Sequence, residues 1–348
     1  MSQPEIKEEL TFDDVLIEPA YSEIESRNEC ELYQSLPLDL EIPIISANMD
    51  TITGVKMHDK MQDLGGAGIL HRYLTLHDLI DIIEDGKSKK GIVYASVGSV
   101  ASREEEAKIN YLMQCHEYGI AKVILCVDMA HGHSLHMKKT LLYIKDNSTL
   151  TTIAGNVVTE RAVKDLYEWG ADIIKVGIGA GSVCSTRVQT GCGKPQLQAI
   201  IDCSRVQNGT TGHYIPIIAD GGLRTPGDCA KALAAGATYI MIGGMLAGTD
   251  CTPYWDEFGG NLLYRGMASK EAKFEAGKDP NFIEGVNRTV QRKDEGSTQK
   301  VIKDICEGVK SAMSYVGALD LKQFRERAVP IRISRASQVE NAPHFLQI

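Results

Sequence analysis

Eight short apolar, β-branched runs recur along the chain, and most are followed by a segment of helical periodicity. They are Pro43–Ser46, Ala67–Leu70, Ile92–Ala95, Val123–Cys126, Thr151–Ala154, Ile173–Val176, Pro216–Ala219 and Tyr239–Ile242. A continuous apolar run of this length marks a strand buried on both faces, as in a parallel sheet. Eight strand–helix units are the number that closes a barrel, and 348 residues suit one barrel with insertions. An open doubly wound sheet is the alternative, but it has no need of eight similar units. The expectation is an α/β chain with one catalytic domain over 1–348, a (β/α)8 (TIM) barrel.

The rhythm stops near Gly248. Cys251–Gly260 reads as a hairpin-like insertion and about 268–296 as a mobile flap, because both are charged, glycine-containing and weakly periodic. Loops after the last strand of a barrel lie at its C-terminal, catalytic face. Thr298–Tyr315 reads as a closing helix, and about 334–348 as a tail.

Composition narrows the function. Lys and Arg number 37 against 46 acids, and no basic run suggests nucleic-acid binding. An anionic ligand must then be held locally, by loop amides and helix N-termini. The nine cysteines include no CxxC pair and no zinc-type spacing, which points to free thiols in a reducing compartment and a cytoplasmic location. Met1–Leu10 is polar and acidic, unlike a signal peptide, and no apolar run is long enough to span a membrane.

The richest stretch is Gly177-Ile178-Gly179-Ala180-Gly181-Ser182-Val183-Cys184-Ser185-Thr186-Arg187, after the sixth run. Alternate glycines let a backbone bend sharply and present its amides and carbonyls, to a phosphate or to a monovalent cation. Cys184 beside Thr186 and Arg187 is a candidate thiolate nucleophile. A glycine-rich turn over a buried cysteine would look the same in isolation. Asp220-Gly221-Gly222 follows the seventh run and Gly243-Gly244 the eighth. Each pair alone reads as a tight turn, but barrel phosphate sites use the loops after strands seven and eight together. Asp220 is then placed for ribose hydroxyls. Asp128-Met129-Ala130-His131 and Asn156 end the fourth and fifth runs, where polar groups lean toward catalysis. His131 and His133 lack the spacing of a helical metal pair.

These residues resemble the IMP dehydrogenase/GMP reductase family over nearly the whole chain. The matching motifs are Leu10–Leu16, Ser46-Ala47-Asn48-Met49-Asp50, the Gly177–Arg187 loop, Ala219–Gly222, Tyr264-Arg265-Gly266-Met267 and Tyr315–Ala318. The resemblance implies that Cys184 attacks C2 of a purine nucleotide and that a hydride passes between C2 and a nicotinamide. It assigns Ser182, Asp220, Gly221, Gly222, Gly243, Gly244, Gly266, Met267, Ala268 and Gly285 to the nucleotide. It assigns Ser26, Arg27, Asp128, Met129, Ala130, Asn156, Ile178 and Gly179 to the dinucleotide cofactor. Gly179, Gly181, Cys184 and Arg187 would hold potassium.

Within the family, dehydrogenases carry two CBS modules after the second strand and an Arg-Tyr pair in the flap. Only a short segment separates Tyr73 from Gly91, and no Arg or Tyr lies between Met267 and Glu284. Thr186 and Glu284 instead match the pair with which reductases handle departing ammonia. The resemblance therefore implies NADPH-dependent reduction of GMP to IMP and ammonia, by a homotetramer or an octamer of two tetramers. A CBS-less IMP dehydrogenase is the alternative. Ala130–Ser134, Tyr264–Met267 and the tail Ala342–Ile348 look more like that branch. A catalytically silent nucleotide-binding homologue is the third reading.

Overall fold

The computed structural model describes residues 6–35, 37–84, 91–253, 261–279 and 281–341. Most of the expected Cys251–Gly260 insertion, Pro280 of the expected flap, the end of the expected tail and residues 1–5 lie outside them.

Eight parallel strands form the centre: β1 (Ile44–Ser46), β2 (Ala67–Gly68), β3 (Ile92–Val97), β4 (Lys122–Asp128), β5 (Thr151–Val157), β6 (Ile173–Val176), β7 (Ile217–Asp220) and β8 (Tyr239–Ile242). Helices alternate with them: α1 (Val55–Asp63), α2 (Leu76–Ile83), α3 (Arg103–Glu117), α4 (Leu135–Asn147), α5 (Glu160–Glu168), α6 (Gln196–Cys203), α7 (Pro226–Ala234) and α8 (Ser297–Tyr315). The hydrogen-bonded order is β2-β1-β8-β7-β6-β5-β4-β3. A parallel bridge between Leu70 and Ala95 joins the two ends and closes the ring. This is the expected (β/α)8 barrel: with β1 paired to β8 and the Leu70–Ala95 bridge joining the two end strands, the sheet is not an open one.

The apolar runs became strands because both of their faces are covered. β6 and β8 are buried at every position. Helix starts follow local chemistry. Thr75 and Asp78 form a reciprocal capping box at α2, and Thr225 caps α7 with Pro226 in its first turn.

Three features depart from expectation. The irregular region after β8 contains an antiparallel hairpin, Asn261–Arg265 with Asn287–Gln291, and a short helix Lys270–Glu275 between its arms. Hairpin pairing is long-range, so local periodicity did not show it. Val329–Arg332, just before the expected tail, pairs with Val15–Glu18 near the N-terminus, and Ser337–Asn341 forms a short 3₁₀ turn within that tail. The closing helix begins one residue earlier than expected, at Ser297.

Candidate active site

The C-terminal ends of adjacent strands supply the site. β4 ends at Asp128, β5 carries Asn156, β6 feeds the glycine-rich loop, and β7 ends at Asp220. The loop turns at once because Gly177 has φ +149°. A Cβ there would stand 1.9 Å from the Asp220 carbonyl, so only glycine lets the loop cross the end of β7. The chain then reaches Cys184, and the short helix Thr186–Thr190 follows.

The exposed Cys184 Sγ donates to Thr186 Oγ1 at 3.2 Å, and the Thr186 hydroxyl donates to Glu284 Oε2 at 2.8 Å. The three groups form an unbroken path for a proton between sulfur and carboxylate. Backbone bonds hold the two segments at that distance. Ser185 N–H donates to the Glu284 carbonyl at 2.9 Å, Val286 N–H to Val183 at 3.0 Å, and Glu284 N–H to Ala268 at 3.1 Å. Gly285 stands opposite Cys184 as its antiparallel bridge partner.

One cleft gathers Cys184, Thr186 and Glu284 with Asp128, Met129, Ala130, Asn156, Ile178, Gly179, Asp220, Gly266, Met267 and Ala268. A smaller one beside it is walled by Ser182, Gly221, Gly222, Gly243 and Gly244. Gly181, Asp220 and Tyr264 border both. The expected reacting and nucleotide-holding residues are thus brought together.

Two expected residues are not. Ser26 caps the turn Arg27–Glu29, and Arg27 Nε lies 2.8 Å from Glu307 on α8, so neither lines this cleft. A complementary charge on the helix flank holds Arg27 there. Arg187 is also otherwise engaged. Its carbonyl accepts from Gly191 N–H at 3.0 Å, and its guanidinium donates to the Ile178 and Lys194 carbonyls. His133 Nε2 is 2.8 Å from Asp165 Oδ2, and its ring stacks on Trp169.

Two site residues, Lys175 and Tyr264, have no role assigned from the sequence alone. Lys175, from β6, bonds Asp128 Oδ1 and Asp220 Oδ2 at 2.9 Å each. A lysine inside an apolar strand was the signal for it. Burial works to raise the Asp128 pKa, but Lys175 and Arg72 outweigh it and hold the carboxyl below its usual range. Tyr264 places its hydroxyl 2.8 Å from Ser182 Oγ, and burial pushes its pKa up. Its place in the Tyr264–Met267 motif was visible, its contact was not. Asn156 donates to the Gly177 carbonyl at 2.7 Å and to Asp220 Oδ2 at 2.8 Å. Its Oδ1 is buried with no partner among the described residues.

The profile of the IMP dehydrogenase / GMP reductase domain matches residues 9–344. The GMP reductase of Yersinia enterocolitica is 36% identical, over 93% of this chain and 95% of that protein. The inosine-5′-monophosphate dehydrogenase of Cryptosporidium parvum is 34% identical, over 100% and 98%. That of Nitrosopumilus maritimus (strain SCM1) is 32% identical, over 98% and 99%. Among solved structures, Trypanosoma brucei GMP reductase in complex with guanosine 5′-monophosphate superposes with a TM-score of 0.85 at 25% identity, covering 98% of each chain.

Proposed function

The chain belongs to the IMP dehydrogenase / GMP reductase family, and from that premise we propose that it is a GMP reductase. GMP, NADPH and two protons would give IMP, ammonium and NADP⁺. The observation that carries this reading is the continuous Cys184–Thr186–Glu284 path. Expelling an amine calls for a proton donor beside the attacked carbon, and the path supplies one.

The phosphate lies on the amides of Gly221, Gly222, Gly243 and Gly244 with the Ser182 hydroxyl, and Asp220 takes the ribose. Cys184 Sγ bonds to C2 while its proton passes through Thr186 to Glu284. The same path returns a proton to the C2 amine, which leaves as ammonia and takes up a further proton from solvent. NADPH, when bound, supplies the hydride that C2 accepts. The C2–S bond then breaks, Cys184 leaves as the thiolate and IMP is released.

The residues fit a nicotinamide dinucleotide. The unpartnered Asn156 Oδ1 and the Asp128–Ala130 ledge offer polar contacts in the same cleft as Cys184. For potassium, the Gly179, Gly181 and Cys184 carbonyls remain candidate donors. The Gly181 and Arg187 carbonyls each already accept one backbone N–H at 3.0 Å, from Cys184 and Gly191, which leaves one lone pair on each for the ion. A homotetramer is part of the same reading, and light scattering tests it.

The test is a paired assay in potassium buffer, with GMP and NADPH in one cuvette and IMP and NAD in the other. Loss of NADPH with IMP and ammonia formed is expected. NADH with XMP formed would make the chain a dehydrogenase whose water is activated by some group other than a flap Arg-Tyr pair. Tight nucleotide binding with neither turnover would mean a silent homologue.

A further inference from the structure

The proposed reaction uses Asp128, Asn156 and Asp220 but gives no role to the cation among them. Lys175 lies in β6 with its side chain 3% exposed. The neighbouring strand leaves room for its stem, because a Cβ on Gly155 would stand 2.5 Å from Lys175 Cβ. Its Nζ spans two strand ends, reaching Asp128 Oδ1 after β4 and Asp220 Oδ2 after β7. Among the described residues Lys175 alone bonds both carboxylates. Burial would strip its proton, but the two carboxylates outweigh that and keep the ammonium charged.

The contacts select which oxygens are left for ligands. Asp220 Oδ2 accepts from both Lys175 and Asn156, while Oδ1 has no donor among the described residues. Asp128 Oδ1 is taken by Lys175, while Arg72 Nε stands 3.6 Å from Oδ2 and Asn48 also bonds the carboxylate. One ammonium therefore ties together two carboxylates that are otherwise held separately, Asp220 by Asn156 and Asp128 by Arg72 and Asn48.

We propose that Lys175 is a positioning residue that couples the two halves of the cleft, holding Asp220 toward the nucleotide ribose and Asp128 toward the dinucleotide as a single unit. The assignment of ligands to halves rests on the function proposed above. In this arrangement, loss of the Asp128 charge lets Lys175 settle on Asp220 alone and withdraws that carboxylate from the ribose. A change on the dinucleotide side is then felt by the nucleotide.

The experiment is a cycle of Asp128→Asn and Lys175→Met in the full chain. GMP affinity is read by calorimetry without cofactor, and KM for GMP and NADPH by turnover. In the Lys175 background, Asp128→Asn should weaken GMP binding at least about fivefold, and in the Lys175→Met background less than about twofold. A purely structural lysine would give the same Asp128→Asn effect in both backgrounds, and that result would overturn the proposal. So would unchanged GMP affinity in Asp128→Asn alone, a readout that stands even where Lys175→Met does not fold. Calorimetry needs no turnover, so GMP binding without cross-effect removes only the coupling. A wild-type chain that binds no GMP would overturn both readings.

Discussion

The glycine-rich loop after β6 and the hairpin segment after β8 carry the two ends of the proposed proton path, yet they are built by different means. The loop owes its shape to backbone, with Gly177 and Gly179 at positive φ directly off a buried strand. The hairpin segment owes its placement to side chains far from the sulfur in sequence. Arg265, 1% exposed, donates to Asp50 Oδ2 at 2.9 Å through Nε and 2.6 Å through a terminal nitrogen. It also reaches Glu275 on the short helix at 2.5 Å. Tyr73 donates to the Met267 carbonyl at 2.6 Å. The barrel thus preforms the loop that carries Cys184, the proposed nucleophile, while a buried ion pair anchors the hairpin segment that leads to Glu284. A buried pair contributes little net stability but fixes register, which is what Glu284 requires.

The largest expected effect separates the two regions. Cys184→Ala should lower kcat by at least about 10⁴-fold while GMP affinity changes by less than about threefold. Turnover that survives the substitution would remove the loop from the chemistry and leave it as a phosphate cradle.

Arg265→Met probes the other region. Burial pushes the Asp50 carboxyl above its usual range even with the guanidinium beside it. Removal of the cation should cost about 3–5 kcal/mol in urea unfolding. It should also lower kcat about 10²-fold by loosening Glu284. Glu275→Gln acts on the half-exposed end of the same contact, 52% exposed, and should change stability by less than about 1 kcal/mol. If both variants behave alike, the aim of the flap comes from the hairpin ladder instead.

Asp250→Asn belongs to neither region and should barely touch turnover. Asp250, past β8, accepts from Gly296 N–H at 3.0 Å and from Thr298 N–H and hydroxyl at 2.9 and 2.7 Å, closing the start of α8. Burial works to raise its pKa, but these bonds outweigh it and bring it to about 2. A depressed carboxyl stabilises the fold above its ordinary value near 4, and that contribution fades as pH falls through about 2. The variant should lose about 1–2 kcal/mol at pH 7. Thermal melts at pH 7 and pH 2 should show the gap to wild type shrinking in acid. A constant gap would mean the bonds do not depend on the charge.

The contrast also explains what the sequence made legible. Apolar runs such as Tyr239–Ile242 became strands because each needs only two covered faces, a local property. Gly177 and Cys184 could be singled out because backbone chemistry is written in adjacent residues. Lys175 was visible only as an oddity in an apolar run, since its two carboxylates come from other strands. The Asn261–Arg265 strand was missed because its partner lies some twenty residues further along. Ser26 and Arg27 were assigned to the cofactor by resemblance; in this chain Arg27 pairs with Glu307 on α8 and neither residue lines the cleft.

The proposed relay joins loop and flap, and a cycle of Thr186→Ala and Glu284→Gln probes that coupling. Each single variant should lower kcat for GMP reduction by about 10²-fold, and the double variant should fall no further than the worse single one. Losses that multiply to about 10⁴-fold would show two independent contributions. In that case, or if Glu284→Gln kept turnover within about threefold of wild type, the Cys184–Thr186–Glu284 path would not be the route of the proton.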